Sequence, residues 1–489
     1  MSDSQVPTHR PIRRRRGVRA SAAIVAGVLL ATSCAARNKT EAADSEESDT
    51  TQTTQAAQGE QAGFGDLESP CGEGDYTVDA DEAKGSTDTL RLGVANDRSS
   101  QIRPGLNKEL WDTSVAFAEW CNAQGGIGGL EIELVDLDGK LLEVESAMAK
   151  ACQSVFMMVG GGFVQDNLEF SGRPDSDFHL CGLADVPGFS ATPEKGDSNG
   201  QIQPIPHPSS SAPGLWFRNF AELHPDEAES MAVIWGDLPV LAAVRNQAEA
   251  VIEANGAEVA ARPSYPATGL PDWAPLAVEL IRSGAGSFHW VGEPNNAGSF
   301  VKALREQGWE GYPVLETNVY DQVYVDSAGV ENAEGTIVRS VFHPFEEADE
   351  WPAVAQYLEI LEANVEDPKV ALLGMQSFSS WMLFATAAND CAESNEGTLT
   401  RACILIAADA IDEWTAGGLH APTDPGPEGG PSPQCSMLVV VNSDGDFERL
   451  HPELGGDDDD GDGFVCDEDS VVEVPANAGL GAIGEDQPI

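Results

Sequence analysis

The sequence predicts an α/β fold in two lobes, each a parallel sheet flanked by helices. Three observations carry that expectation. Short apolar runs with strand character alternate with segments of helical period. The alternation stops at a Pro/Ser-rich break, residues 203–213, and then resumes, which gives two similar halves joined by a hinge. Hydrophobic residues make up 41% of the 489, enough for real cores.

The elements follow in order. Residues 90–94 (LRLGV) read as a strand, and a polar loop follows over 96–107. Leu110, Val115, Ala116, Ala118 and Trp120 recur near helical spacing and stop at Gly125-Gly126. Residues 131–135 (EIELV) alternate as a strand, 142–153 form a helix, and 155–159 (VFMMV) form a fully buried strand. After the break, strands are expected at 231–235, 258–265, 287–291 and 313–315, with helices at 240–255, 273–283 and 299–307. Further helices are expected near 351–363, 375–390 and 400–415, and 435–441 (CSMLVVV) reads as one last strand. In open parallel sheets ligands bind beyond the carboxyl ends of the strands. The loops that qualify are 96–105, 160–167, 190–193, 236–239, 265–269, 293–297 and 318–324.

The N-terminus reads as an address. Arg13 to Arg16 form a basic start, and residues 20–31 are an apolar stretch too short to span a bilayer. The stretch ends Leu30-Ala31-Thr32-Ser33-Cys34, small residues before a cysteine, which resembles a bacterial lipoprotein cleavage site with Cys34 as the lipidated residue. A plain secretory signal over residues 1–33 is the alternative. Residues 34–70 are almost devoid of apolar side chains and read as a disordered tether. Nowhere do 18 or more apolar residues run together.

Aspartate and glutamate number 81 against 27 lysines and arginines, a formal charge of −54; cleavage before Cys34 leaves 80 against 21. A nucleic-acid partner is therefore not expected, since it would need a basic face. Solubility is the simplest account of such a surface. With Cys34 set aside for lipid, eight cysteines remain: Cys71, Cys121, Cys152, Cys181, Cys391, Cys403, Cys435 and Cys466. Export makes disulfides the default, and no pair has CxxC spacing. Spacing alone leaves the pairing open.

Four segments together resemble the type I periplasmic binding proteins: LRLGVAND, AFAEWCNAQGGIGGLEIELVDLD, VFMMVGGGF and VGEPNNAGSFVKALREQGW. The nearest group is the branched-chain amino acid (Leu/Ile/Val)-binding receptors of ABC transporters, over roughly residues 88–445. The most specific stretch is Asn122-Ala-Gln-Gly-Gly-Ile-Gly-Gly129, where Gly128 replaces the family's usual asparagine, a conservative change for a turn. The resemblance implies three chain crossings between lobes. Lobe one would hold 71–205 and 341–430, lobe two 206–340 and 431–456, and 457–489 would be an acidic tail. Laid on that topology, the cysteines pair as Cys71–Cys121, Cys152–Cys181, Cys391–Cys403 and Cys435–Cys466, all away from the cleft and serving stability.

The resemblance also implies a site. Family receptors hold a carboxylate with hydroxyls and backbone amides of lobe one, and an ammonium with an acid of lobe two. The lobe-one candidates are Asn96, Arg98, Gly161, Gly162, Gln165, Ser190 and Thr192; the lobe-two candidates are Trp235, Asp237, Tyr265, Glu293 and Tyr320. Each has a structural alternative, a tight turn for the glycines and solvated surface for the acids. Asp458, Asp460, Asp462 and Asp469 fit the spacing of a calcium loop around Gly463, although a plain acidic run would match as well. No other cofactor is expected. Nucleophile elbows, HExxH helices and phosphate loops are missing, so an enzyme is the weaker reading. The expectation is a lipid-anchored, monomeric receptor that captures a small polar ligand of the amino acid or amide class and serves the membrane permease of an ABC importer. A ligand-sensing surface lipoprotein uncoupled from transport is the alternative.

Overall fold

A computed structural model describes residues 63–166, 176–426 and 430–475, all within one compact unit, Gly59–Ile489. The signal, Cys34 and most of the expected tether lie outside the described residues. Within them no helix is long and apolar enough to cross a membrane.

The strands are β1 (Thr77–Val78), β2 (Thr89–Asn96), β3 (Glu131–Asp138), β4 (Met157–Val159), β5 (Asp185–Val186) and β6 (Ser211–Pro213). They continue with β7 (Ser230–Gly236), β8 (Glu258–Ala261), β9 (Ser264–Tyr265), β10 (Ser287–Val291), β11 (Tyr312–Leu315) and β12 (Ile337–Ser340). The last are β13 (Thr398–Leu399), β14 (Cys435–Val441), β15 (Phe447–His451), β16 (Val465–Cys466) and β17 (Val471–Glu473). Lobe one is built on a parallel sheet in the order β3-β2-β4-β5. Lobe two is built on a larger sheet in the order β15-β14-β12-β11-β10-β7-β8. The run from β12 to β8 is parallel, and β14 closes it antiparallel to β12.

Each expected strand between 90 and 315 is present within a few residues. The helix expected from 299 starts at Pro294, because proline at a first helical position loses no hydrogen bond. The helix expected over 400–415 ends at Asp409. Residues 435–441 are not the last strand. A turn over 442–446, with Asn442 N–H donating to the Asp446 carbonyl at 2.9 Å, sends β15 back along β14. The short, charged FERLH segment gave no apolar signal for that return.

The turn after the helix Lys108–Asn122 shows why its glycines are there. Gly128 has φ 55°, a conformation asparagine also tolerates. The Tyr76 ring, however, lies 2.0 Å from where a Cβ would stand. The loss of the family's asparagine is therefore a packing requirement of this chain, and the sequence alone made it look like a neutral turn change.

The chain crosses between lobes three times, near 205–211, near 341 and just before β14, and each crossing is met again at the cavity described below. Returning to lobe one, the helices Pro352–Asn364 and Leu372–Ser394 pack on Lys108–Asn122.

The four disulfides are those the family topology implied. Cys71 at the amino edge of the lobe-one sheet joins Cys121 at the end of the first helix, with Cα atoms 5.3 Å apart. Cys152 joins Cys181 at 5.6 Å, tying the helix Val144–Ser154 to the segment before β5. Cys391 joins Cys403 at 5.4 Å across the connection between two helices, and Cys435 joins Cys466 at 4.0 Å across β14 and β16. None of the eight lines the cavity described below, so their role is to hold the fold.

Two boundaries move. The tether does not extend to 70, because Phe64 is fully buried and packs on Phe378 at 4.7 Å and on Trp120 at 6.5 Å. One aromatic in a polar stretch is too weak a signal to read as core. The acidic tail does not begin at 457 either. Cys466 is tied to Cys435 on β14, and β17 pairs with β6. Truncating Phe64 to alanine should therefore lower unfolding stability by about 3–5 kcal/mol, as for other buried aromatics. Denaturant unfolding measures it, and a loss within noise would return residues 63–70 to the tether.

Candidate functional site

The parallel sheets place strand ends and helix starts of both lobes around one cavity of about 230 Å³. Lobe one contributes Asn107, Val164, Phe189, Ser190, Leu373 and Gln376. Lobe two contributes Trp216, Leu241, Val251, Glu293, Glu316 and Arg339. The crossings supply Ile205, His207, Val341, Phe342 and Pro433. The volume lies below the roughly 300–1,000 Å³ of sites for drug-sized ligands, so the occupant is small.

Most of the wall is apolar, and its polar groups fall into three sets. The first is a charge network in lobe two. Glu316 accepts from Arg339 Nε at 2.7 Å and from His289 Nε2 at 2.8 Å. His289 is fully buried and stacks on Trp216, with centroids 4.6 Å apart. Burial by itself would raise the Glu316 carboxyl, but the Arg339 charge and the His289 hydrogen bond outweigh it and hold the group well below the usual carboxylate range.

The second set spans the lobes. Arg103 of lobe one pairs with Glu293 of lobe two. His207, on the first crossing, bonds the Ser190 carbonyl through Nδ1 at 3.0 Å and Gln247 Oε1 through Nε2 at 2.9 Å. The Gln247 amide is fixed in that orientation because its Nε2 donates to the Pro208 carbonyl at 2.9 Å. The two His207 nitrogens thus meet one oxygen from each lobe.

The third set is unpaired. Asn107 Nδ2 and Ser190 Oγ are buried and have no hydrogen-bond partner, although their residues are only 6% and 7% exposed. Buried polar atoms of this kind are rare in folded chains. Asn107 immediately precedes the helix Lys108–Asn122 in a left-handed conformation, φ 55°. The two residues after Ser190 are held by Asp166, whose carboxylate accepts from the N–H groups of Ala191 and Thr192, each at 2.9 Å. Burial pushes the Asp166 carboxyl up to about 7, against the pull of those N–H groups.

Of the twelve sequence candidates, Ser190 and Glu293 line the cavity; the other ten do not. Asn96 and Arg98 both bond Asp136, Arg98 with two contacts of 2.6 Å. Gly161 and Gly162 leave room for the Ala95 backbone and the Phe189 ring, which lie 2.2 and 2.4 Å from where a Cβ would stand. Gln165 donates to the Leu141 carbonyl, and Thr192 Oγ1 to the Asp166 carbonyl at 2.8 Å. Arg245 lies over the Trp235 ring at 4.6 Å, and Asp237 is exposed. Tyr265 stacks on Trp290 in the core at 4.6 Å. Tyr320 donates to Glu346 and accepts from Phe345 N–H at 2.9 Å. Sequence reasoning missed Asn107, His207, Trp216, Gln247, Arg339 and Gln376. The apolar run Leu215-Trp216-Phe217 straight after the Pro/Ser-rich break was the available signal for Trp216.

The four aspartates whose spacing fits a calcium loop, Asp458, Asp460, Asp462 and Asp469, do not form a converging group. Among the described residues the metal-ligating groups that do are Cys435, Asp460 and Cys466, and both cysteines are spent in a disulfide. The organiser of this loop is Asp459, which accepts from the N–H groups of Gly455, Gly461 and Gly463.

Residues 89–446 match the sequence profile of a family described as periplasmic binding protein. No curated protein matches the chain. Among solved structures, a fatty acid ABC transporter substrate-binding protein from Thermomonospora curvata is similar at 14% identity and a TM-score of 0.62, covering 79% of this chain and 95% of that one. The leucine-binding protein LivK from Thermotoga maritima is similar at 15% identity and a TM-score of 0.57, covering 74% and 98%. The branched-chain amino acid transporter substrate-binding protein LivJ from Streptococcus pneumoniae, solved in complex with isoleucine, is similar at 18% identity and a TM-score of 0.57, covering 74% and 100%.

The charge network gives a test. Glu316→Gln leaves Arg339 facing the cavity without its counter-charge and should cost about 3–5 kcal/mol of stability at neutral pH. Because the folded carboxyl is depressed, its stabilisation is present above the unfolded value of about 4.3 and fades as pH falls below it. The gap between the native chain and the variant should therefore narrow in acid. Urea unfolding at several pH values reads it, and a gap that is constant with pH would contradict this account of the network.

Proposed function

The chain belongs to the periplasmic binding protein family, and from that premise we propose that it is the solute receptor of an ABC importer. Members of this family bind small molecules outside the cytoplasm and do not transform them. The observation that carries the proposal is the cavity between two lobes joined by three crossings, with residues of both lobes in its wall. Such a site closes by rotation of one lobe on the other, and a ligand that touches both stabilises the closed form.

The residues suggest how closure is held. Arg103 and Glu293 join the lobes at the cavity. His207 sits on a crossing and touches both Ser190 of lobe one and Gln247 of lobe two. A ligand that reaches Asn107 and Ser190 on one side and Trp216 and Arg339 on the other spans the same gap. The resemblance to receptors described as binding leucine, isoleucine or fatty acid supports an occupant with an apolar body. Export followed by lipidation at Cys34 would keep such a receptor beside its permease, with the segment before residue 63 as the link.

The test is a thermal-shift screen of the purified chain against amino acids, amides, short carboxylic acids, polyamines and sugars. A ligand at 100 times its Kd should stabilise by about 2.7 kcal/mol, a shift of a few degrees for a chain of this size. X-ray scattering with that ligand should show compaction. A folded protein that no member of the panel stabilises would count against a receptor for small solutes of these classes.

A further inference from the structure

We propose that the ligand is a small apolar monocarboxylate that carries no ammonium group. The inference rests on the receptor reading above and names the chemistry of that same cavity.

An α-amino acid brings two opposite charges, and the cavity offers a place for one. Both acids in the wall already carry a cation: Glu316 is bonded by Arg339, and Glu293 is paired with Arg103 from the opposite lobe. An ammonium would have to displace one of these arginines, and a buried charge without a partner is strongly disfavoured. The donor side is the reverse. His207 bonds two neutral oxygens, the Ser190 carbonyl and Gln247 Oε1. Asn107 Nδ2 and Ser190 Oγ are buried donors in the same wall with no acceptor.

The backbone adds to this. Four helices begin at the cavity: Lys108–Asn122 behind Asn107, Leu215–Leu223 at Trp216, Pro294–Glu306 behind Glu293, and Leu372–Ser394 at Leu373. The amino end of a helix carries the positive end of its dipole, so four such ends beside one cavity favour an anionic head. The rest of the ligand meets Val164, Phe189, Trp216, Leu241, Val251 and Phe342, an apolar lining that suits a hydrocarbon. A carboxylate that reaches Asn107 or Ser190 and a hydrocarbon body along the apolar lining meet these demands.

Calorimetric titration of the full chain with isocaproate, leucine and isocaproamide tests it. Leucine has the isocaproate skeleton plus the ammonium; the amide has the same skeleton without the charge. Isocaproate should bind at least about tenfold more tightly than leucine, since each tenfold corresponds to about 1.4 kcal/mol and an unpaired buried charge costs more than that, and more tightly than the amide, which lacks the charge that the helix ends favour. Asn107→Asp keeps a residue that tolerates the left-handed backbone and a good helix cap, but sets a carboxylate against the ligand's. It should weaken isocaproate by a further factor of about ten or more and the amide by less. Ser190→Ala, which leaves the backbone alone, should weaken isocaproate more than the amide. Leucine binding as tightly as isocaproate overturns the inference and leaves the receptor reading standing. Equal binding of amide and acid overturns the carboxylate. Silence for all three overturns the inference, whereas the receptor reading falls only if the wider panel is silent too.

Discussion

The helix Leu372–Ser394 is packed on nearly every side, and the geometry of the cavity depends on it. It belongs to the second passage of the chain through lobe one, yet it bonds residues of the first. Ser377 Oγ donates to the Gly160 carbonyl at 2.7 Å, Ser380 Oγ to the Pro187 carbonyl at 2.8 Å, and Trp381 Nε1 to Ser114 Oγ at 2.9 Å. Trp381 also explains Gly160, whose missing Cβ would stand 2.1 Å from the indole nitrogen. These contacts lock the ends of β4 and β5 to the helix whose first turn presents Leu373 and Gln376 to the cavity. A helix that is apolar all round has no solvent face, so it survives only as the interior of a completed lobe. Lobe one is therefore not finished until the chain has left it, built lobe two and returned. The crossings between the lobes follow from that order of assembly.

Charge is handled in two ways in this acidic chain. On the surface, an excess of carboxylates faces water and costs little beyond mutual repulsion. At the cavity each acid is tied to one particular cation, Glu316 to Arg339 and Glu293 to Arg103. With so few cations available, placing two of them here removes negative charge where a ligand must enter. What remains toward the cavity are the unpaired donors of Asn107 and Ser190.

The site was legible in part. Ser190 and Glu293 could be found because each follows a strand of a parallel sheet, and such ends face the ligand side. The same rule also selected Asn96, Asp237 and Tyr320, which sit at the correct end of a sheet but do not line the cavity. Which ends reach the cavity is set by how the two lobes pack around it, since Ser190 follows the edge strand β5 whereas interior strands lead to Asn96 and Tyr320, and a sequence read in isolation does not contain that packing. Trp216, His207 and Gln247 were overlooked for a different reason. His207 and Trp216 lie in or beside the Pro/Ser-rich break, and Gln247 faces it from a neighbouring helix. A connection between lobes reads as linker until both lobes are folded around it. Arg339 stands within β12 among apolar neighbours, where nothing local distinguishes a cavity-facing cation from a surface one.

The sequence by itself determined the alternation of strands and helices, the division into two halves and the parallel sheets, because these follow from apolar period and turn chemistry over a few neighbouring residues. Together with the family topology it also determined the disulfide pairs, since Cys71 with Cys121 or Cys152 with Cys181 are positions that one sheet edge brings together. Only the tertiary structure decided that Phe64 and Cys466 belong to the folded body, that Tyr76 forbids a side chain at position 128, and that the acids of the cavity arrive with their own arginines. Each of these is a contact between residues far apart in the chain, Phe64 with Phe378 or Arg103 with Glu293, and its energy depends on distances that no local pattern encodes.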